Sequence, residues 1–268
     1  MIITLSSIPS RFQFLPRFFN VLASQELKPE AVELYVARRY RRFPGEVPAL
    51  PPLPDWVTVT WIDEDIGPAS KVLPACRKWA GRDIDILYCD DDHAYDRMWA
   101  MRFQQQRDRM PDVALCEKPM RADDVGLERK QVSDFPRGYT YLTDKTLYKF
   151  VKLATLGFVR LERKRIVEGY ADIMEGYAGC MVKPDWLADA DFDIPDVFWT
   201  VDDIWLSGIL AVKSIKIHTT KNPVITKEFR DAHLFASPLW KHIENGIGRH
   251  EANRRCAVYM SETHGIWK

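Results

Sequence analysis

Ile84-Asp85-Ile86-Leu87-Tyr88-Cys89-Asp90-Asp91-Asp92 is the stretch whose reading decides the fold. Apart from Asp85, the run from Ile84 to Cys89 is apolar, and it ends abruptly in adjacent aspartates. A short apolar run with so sharp an end reads as a strand buried on both faces. Working outward, Ile2 to Ser6, Val32 to Ala37 and Val57 to Ile62 are further β-prone runs. Phe12 to Gln25 carries Phe14, Leu15, Phe18, Phe19 and Leu22 at helical spacing, with Pro16 near the start, where it is tolerated. Phe43 to Asp55 is a proline-rich loop, and Pro68 to Ala80 reads as a helix opened by Gly67-Pro68. Strand, helix, strand, loop, strand, helix, strand is the rhythm of a doubly wound parallel sheet. Ligands of such sheets bind beyond the carboxyl ends of the strands. Three polar clusters fall there: Ser6 to Arg11, Asp63 to Lys71, and Asp90 to Asp92.

The later sequence is less regular. Tyr95 to Arg109 and Tyr148 to Val159 read as helices, and residues 117 to 147 are polar and aperiodic. Tyr177 to Val182 reads as a buried strand, with a glycine where a backbone or ligand comes close. Val201 to Val212 is an amphipathic helix opened by Asp202 and Asp203, followed by a strand from Ile215 to His218. No internal repeat, low-complexity segment or composition break divides the chain.

Its 268 residues are enough for one α/β domain with a modest extension. Lys and Arg number 38 and Asp and Glu number 38, so no basic excess points to nucleic acid. Locally, Arg38-Arg39-Tyr40-Arg41-Arg42 is a basic knot that could touch a membrane surface, an acidic acceptor or only water. The 5 cysteines (Cys76, Cys89, Cys116, Cys180, Cys256) are scattered and form no CxxC pair, so a reduced, cytoplasmic setting fits best. No apolar run is long enough to span a bilayer, and the N-terminal apolar stretch is too short for a signal peptide.

Adjacent carboxylates at a strand end repel one another by about 1 kcal/mol even in water, and by more as the site dries. Something cationic must relieve this. A divalent ion held by one or two carboxylates, phosphate oxygens and water does so. Alternate residues of an extended chain point the same way, so Asp90 and Asp92 would face one ion together. The competing reading is an acidic turn capping the next helix. Asp202-Asp203 has the same two readings: dipole-stabilised first-turn acids, or a carboxylate acting as general base. Gly67 to Lys71 lacks P-loop spacing, yet it sets a helix start and a lysine near where phosphates would lie. Arg11 likewise is either a phosphate-side cation or a solvated one. His93, His218 and His233 are candidate third metal ligands, or structural histidines. Trp186, Trp199 and Trp205 are core residues, unless one forms a platform for a sugar. Neither GxSxG nor HExxH occurs.

Four segments, in order, resemble the nucleotide-sugar glycosyltransferases of the GT-A fold, of the broad family-2-like kind. They are Thr4 to Arg11, Asp65 to Lys71, Ile86 to Asp92 (similar to that family's DXD motif), and Gly176 to Gly179 followed by Val201 to Trp205. The resemblance covers about residues 2 to 218. It implies a GT-A domain over residues 1–220, with a nucleotide-binding half (1–95), an acceptor-side half (96–220), and a C-terminal extension (221–268) packed on it. Asp92 with Asp90 would hold Mn²⁺ or Mg²⁺ on the donor diphosphate. Ser6, Arg11, Asp65, Lys71, Asp90 and Asp91 would line the donor site, and His218 or His233 would complete the metal shell. Tyr177, Gly179 and Trp205 would lie on the acceptor side. Asp203 would be the base of an inverting transfer, with Asp202 standing where Glu is usual.

The implied activity is that of a metal-dependent hexosyltransferase (EC 2.4), working in polysaccharide biosynthesis. It would move a sugar from a nucleoside-diphosphate donor, UDP-linked by expectation, to a glycan, lipid-linked or other hydroxyl acceptor, in the cytoplasm or at a membrane periphery. The rivals are a catalytically inactive GT-A-like sugar- or nucleotide-binding module, and a metal-dependent nucleotidyltransferase or phosphohydrolase. The dehalogenase-like version of the last expects Thr or Val at position 94, where Ala94 stands.

Overall fold

The computed structural model describes residues 1–127, 136–142, 145–155, 164–190, 196–229, 242–244 and 246–268. Its centre is an eight-stranded sheet. In chain order the strands are β1 (Ile2–Ser6), β2 (Ala31–Ala37), β3 (Val57–Ile62), β4 (Ile86–Cys89), β5 (Ala114–Cys116), β6 (Tyr170–Ala171), β7 (Cys180–Val182) and β8 (Ile217–Thr219). Their spatial order is β6-β8-β5-β7-β4-β1-β2-β3. The β1–β2, β1–β4, β2–β3 and β5–β8 pairs are parallel. Strand β7 runs antiparallel between β4 and β5, and β6 is antiparallel to β8. The mostly parallel α/β sheet expected of a GT-A-like fold is therefore present. The antiparallel direction of β7 was not expected.

Both faces of the sheet are covered because its strands are apolar on both. Ile3, Leu5, Leu87 and Cys89 face helices α1 (Leu15–Ala23) and α3 (Trp99–Arg109), through Phe18, Phe19, Trp99 and Phe103. Their alternates Ile2, Ile86 and Tyr88 face α2 (Leu73–Trp79) and α5 (Asp202–Val212), through Leu73, Cys76, Leu206 and Leu210. Each such side chain taken fully out of water contributes about 1.5–3 kcal/mol before entropy is set against it. Between α3 and α5 in the chain lies α4 (Lys145–Ala154), in the connection between two antiparallel strands, Tyr139–Leu142 and Lys164–Val167.

The last helix, α6 (Arg249–His264), packs on α5 in a third apolar cluster that includes Ile204, Cys256 and Met260. Gly208 of α5 admits this approach, since a Cβ there would lie 2.6 Å from the Met260 side chain. Upstream of α6 the chain also contributes to a separate two-stranded sheet. Lys227 and Glu228 pair antiparallel with Ala94 and His93, just past the aspartates.

Successive strands β1, β2 and β3 step one way, and β4 joins β1 on its other side. That reversal opens a crevice at the carboxyl ends of β1 and β4. Thr4, fully buried on β1, donates its hydroxyl to the Lys71 carbonyl at 2.7 Å and so ties the short 3₁₀ helix Gly67–Lys71 to the rim of the crevice.

Candidate active site

Strand β1 ends in Ser6, and the chain turns into a 3₁₀ helix, Pro9–Phe14, that presents Arg11. Strand β4 ends at Cys89, and Asp90 to Asp92 follow on a turn. The two strand ends meet. Arg11 holds Asp91 at 2.8 Å through Nη1 and Asp92 at 2.7 Å through Nη2. Ser7 donates its hydroxyl to the other oxygen of Asp91, and His93 Nδ1 lies 2.7 Å from Asp92 Oδ1. Burial works to raise the Asp92 carboxyl, but the His93 hydrogen bond and the Arg11 charge outweigh it and hold Asp92 below the usual carboxylate range. Asp91 goes the other way, because burial outweighs the Arg11 charge.

Asp90 points elsewhere. Lys71 Nζ reaches Asp90 Oδ1 at 2.8 Å and Asp202 Oδ2 at 3.0 Å, from a side chain only 4% exposed. Burial opposes the ammonium charge, but Asp202, Asp90 and Asp203 together keep Lys71 firmly protonated. One buried lysine thus joins the two acidic motifs. Neither acid of α5 caps its helix by a side-chain hydrogen bond. Asp203 instead accepts the Gly176 N–H at 2.8 Å. Burial first, then the charge of Asp202, push the Asp203 carboxyl up to about 7, against the pull of Lys71 and Arg249. Asp203 also keeps more access than its neighbour, with its side chain 17% exposed against 3% for Asp202. Of the two, Asp203 is the more accessible carboxylate.

Beside these groups lies a cleft whose lining includes Ser6, Ser7, Arg11, Tyr35, Asp90 and Asp91. Asp65 and Trp199 form its far wall. Asp65 accepts the Gly67 N–H at 2.9 Å and the Arg41 N–H at 2.8 Å, so it fixes the turn and the arginine loop together. Trp199 donates its indole N–H to the Asp65 carbonyl at 3.0 Å and closes on Gly67, whose φ of +64° a glycine tolerates. The basic knot is partly spent here. Arg42 lines the cleft, Arg41 pairs with Asp196 at 3.0 Å and lies over Trp199, and Arg38 pairs with Asp63 at 3.1 Å.

Other expected residues are placed differently. Asp90 and Asp92 do not face one point, because the chain has left the strand and turned. Among the described residues, no three His, Cys, Asp or Glu side chains converge to hold a metal ion. Both oxygens of Asp92 are engaged, by Arg11 and His93. Asp90 has only Oδ1 bonded to Lys71, and it stays 31% exposed. Around the cleft the carboxylates of Asp65, Asp90, Asp91, Asp92, Asp202 and Asp203 outnumber the permanent cations Arg11, Arg42, Lys71 and Arg249. That negative surplus fits a divalent ion arriving with a diphosphate and held through Asp90, phosphate oxygens and water. It does not form a closed protein cage.

His218 packs edge-on to Tyr170 at 4.8 Å and contacts the Thr219 carbonyl, not the aspartates. His233 lies outside the described residues. Trp205 lies along Tyr259 of α6, so it serves the α5–α6 contact rather than an acceptor platform. Tyr177 does border the site, tilted over His93 at 4.9 Å. Gly179 has φ +100°, and its open face is filled by the Trp99 indole, 2.6 Å from where a Cβ would sit. The close approach is therefore made by a core side chain. Trp99 also donates to the Ala178 carbonyl at 3.0 Å. Gly179→Ala is expected to cost about 2–4 kcal/mol, from left-handed strain plus overpacking, read as a lowered urea midpoint at unchanged slope.

Sequence reasoning missed Ser7 and Arg249. Arg249 opens α6, donates to the Thr200 carbonyl, and lies 3.7 Å from Asp203 and 4.0 Å from Asp202. A cation at a helix N-terminus opposes the helix dipole, and an anionic partner offsets that cost. That was the available signal.

No protein-family profile and no curated protein matches the chain. Among solved structures it is similar to Staphylococcus aureus TarS. The TarS 1-349 structure in complex with UDP shares 13% identity at TM-score 0.43, over 84% of this chain and 58% of that one. The TarS 1-349 structure with UDP-GlcNAc shares 13% identity at TM-score 0.45, over 85% and 58%. A longer TarS structure is matched over 36% of its length, so the chain spans well under two thirds of these proteins. Identity this low concerns the course of the chain and not its chemistry.

Proposed function

We propose that the chain is a nucleotide-sugar glycosyltransferase, with a UDP-sugar as donor and a hydroxyl of a glycan or other acceptor as nucleophile. The observation that carries this is the junction made by Lys71. It joins Asp90, which lines the cleft at the strand ends, to Asp202, the neighbour of Asp203 on α5. A donor diphosphate in that cleft has Arg11 and the negative rim of Asp90 beside it. Mn²⁺ or Mg²⁺ bound with the diphosphate through Asp90, and through Asp92 once Arg11 or His93 yields, would offset charge on the leaving group. Asp203 stands across Lys71 from Asp90, where it accepts the acceptor hydroxyl proton. Its raised carboxyl suits a base that works near neutrality. Single displacement with inversion follows from one base and no second nucleophile in the scheme.

The test is thermal unfolding with a panel of nucleoside diphosphates, with and without Mn²⁺. UDP with Mn²⁺ is expected to raise Tm, by mass action on the folded state. EDTA should reduce the rise, and Asp90→Ala should remove most of it. A flat response to every nucleotide would eliminate the donor site. Donor hydrolysis measured alongside separates an active enzyme from an inactive binder.

A further inference from the structure

We infer that α4 and the two strands it connects form a surface that docks on an anionic phospholipid bilayer. Helix α4 carries Lys145, Lys149 and Lys152 and no acid, and the strand Lys164–Val167 adds Lys164 and Arg165, again with no acid. This lies in a chain whose formal charge is zero. The same unit displays apolar side chains. Phe150 is 68% and Leu153 77% exposed, three residues apart and so on one helical face. Tyr139 and Tyr141 are also exposed, two apart on the neighbouring strand and so on one of its faces.

Exposed bulky apolar residues in a stretch, 137–168, where eight Lys and Arg outnumber Asp144, Glu162 and Glu168 match the composition of an interfacial segment. Its rings and aliphatic side chains enter the headgroup region while its cations stay with lipid phosphates. Net positive charge selects an anionic surface over a neutral one. Within the Arg38 to Arg42 knot, Arg38 and Arg41 pair with Asp63 and Asp196 and Arg42 lines the cleft.

The placement has a further consequence, which alone rests on the transferase reading. An open groove begins at Tyr141 and Arg165, passes Glu168 and Val224, and reaches Lys227. Lys227 and Glu228 pair with Ala94 and His93 beside Asp92. An acceptor anchored in the bilayer would thus have a path from the docked face to the cleft.

The experiment is co-sedimentation of the full chain with vesicles of phosphatidylcholine, with and without phosphatidylglycerol. Binding is expected only with phosphatidylglycerol and should fall steeply as salt is raised. Phe150→Ser with Leu153→Ser should lower the partition coefficient roughly tenfold, and Lys149→Glu should lower it several-fold. These side chains are exposed, so the variants should keep the wild-type Tm and any Tm rise with UDP. Failure of wild type to pellet with phosphatidylglycerol vesicles would overturn the inference, as would equal binding to neutral vesicles or binding unchanged in the variants. A wild-type dimer in light scattering that Phe150→Ser and Leu153→Ser convert to monomer would assign the face to a second copy instead. None of these outcomes depends on nucleotide binding, so the docking claim and the transferase reading fail separately.

Discussion

Asp203→Asn is expected to keep the Tm rise with UDP and to lower sugar transfer by about 10²- to 10⁴-fold, the usual contribution of a positioned general base. Asparagine is nearly isosteric, and its carbonyl oxygen can still accept the Gly176 N–H now bonded to Asp203. What is lost is the ability to take a proton. The check is a transfer assay at saturating donor beside the thermal shift. Transfer near the wild-type rate would show that the proton goes elsewhere. Asp202 is a poor substitute. It is sealed from solvent and committed to Lys71.

The same group sets the pH dependence. Burial and the Asp202 charge raise the Asp203 carboxyl to about 7, so kcat/KM should climb with pH through neutrality as the base loses its proton. Arg249 is one of the two cations pulling that value down. Arg249→Met therefore moves the acidic limb to higher pH, while a residue that only props up α6 would leave the limb in place. Stability carries the opposite sign. A carboxyl raised on folding favours the native state while it is protonated, and that benefit is lost as pH rises through the folded value. The Asn variant should gain stability relative to wild type on going from acid to mildly alkaline solution.

Much of the sheet was legible because β1, β2 and β4 are largely apolar on both faces, while β3 alternates Val and Thr. Such runs mark themselves whatever lies around them. The expected strand from Ile84 begins instead at Ile86, since Asp85 pairs with Arg107 at 2.8 Å. The direction of β7 was not legible, because three apolar residues read the same in either direction. The aspartates were found from their crowding, and a cation does relieve them, but the cations are Arg11 and Lys71. The pairing of Asp90 with Asp92 on one ion assumed extended backbone, and the chain turns immediately after Cys89. Trp205 and Gly179 were misassigned for a shared reason. Each meets a partner from a distant part of the chain, Tyr259 and Trp99, that no local pattern announces. Arg249 escaped because it belongs to no motif and acts only through where α6 lands.

Lys71→Met is expected to lose about 3–5 kcal/mol of stability, the usual cost of removing one partner from a buried ion network. The ammonium lies between Asp90 and Asp202, and both that lysine and Asp202 are nearly free of solvent. Without it, the buried Asp202 carboxylate beside Asp203 keeps only the longer Arg249 contact, at 4.0 Å. Methionine fills the volume of the stem, so the loss reports charge rather than a cavity. Arginine should not rescue it. The planar guanidinium cannot reproduce the lysine ammonium's position between Asp90 and Asp202. Asp202→Asn added to Lys71→Met removes the stranded charge, and the double variant should be more stable than Lys71→Met alone. Urea unfolding of the four proteins closes the cycle, with a coupling of about 1–3 kcal/mol expected. Additivity within about 0.5 kcal/mol would mean that Lys71 does not bind the two acidic motifs into one unit. The cleft would then have to be assembled by contacts other than this buried pair.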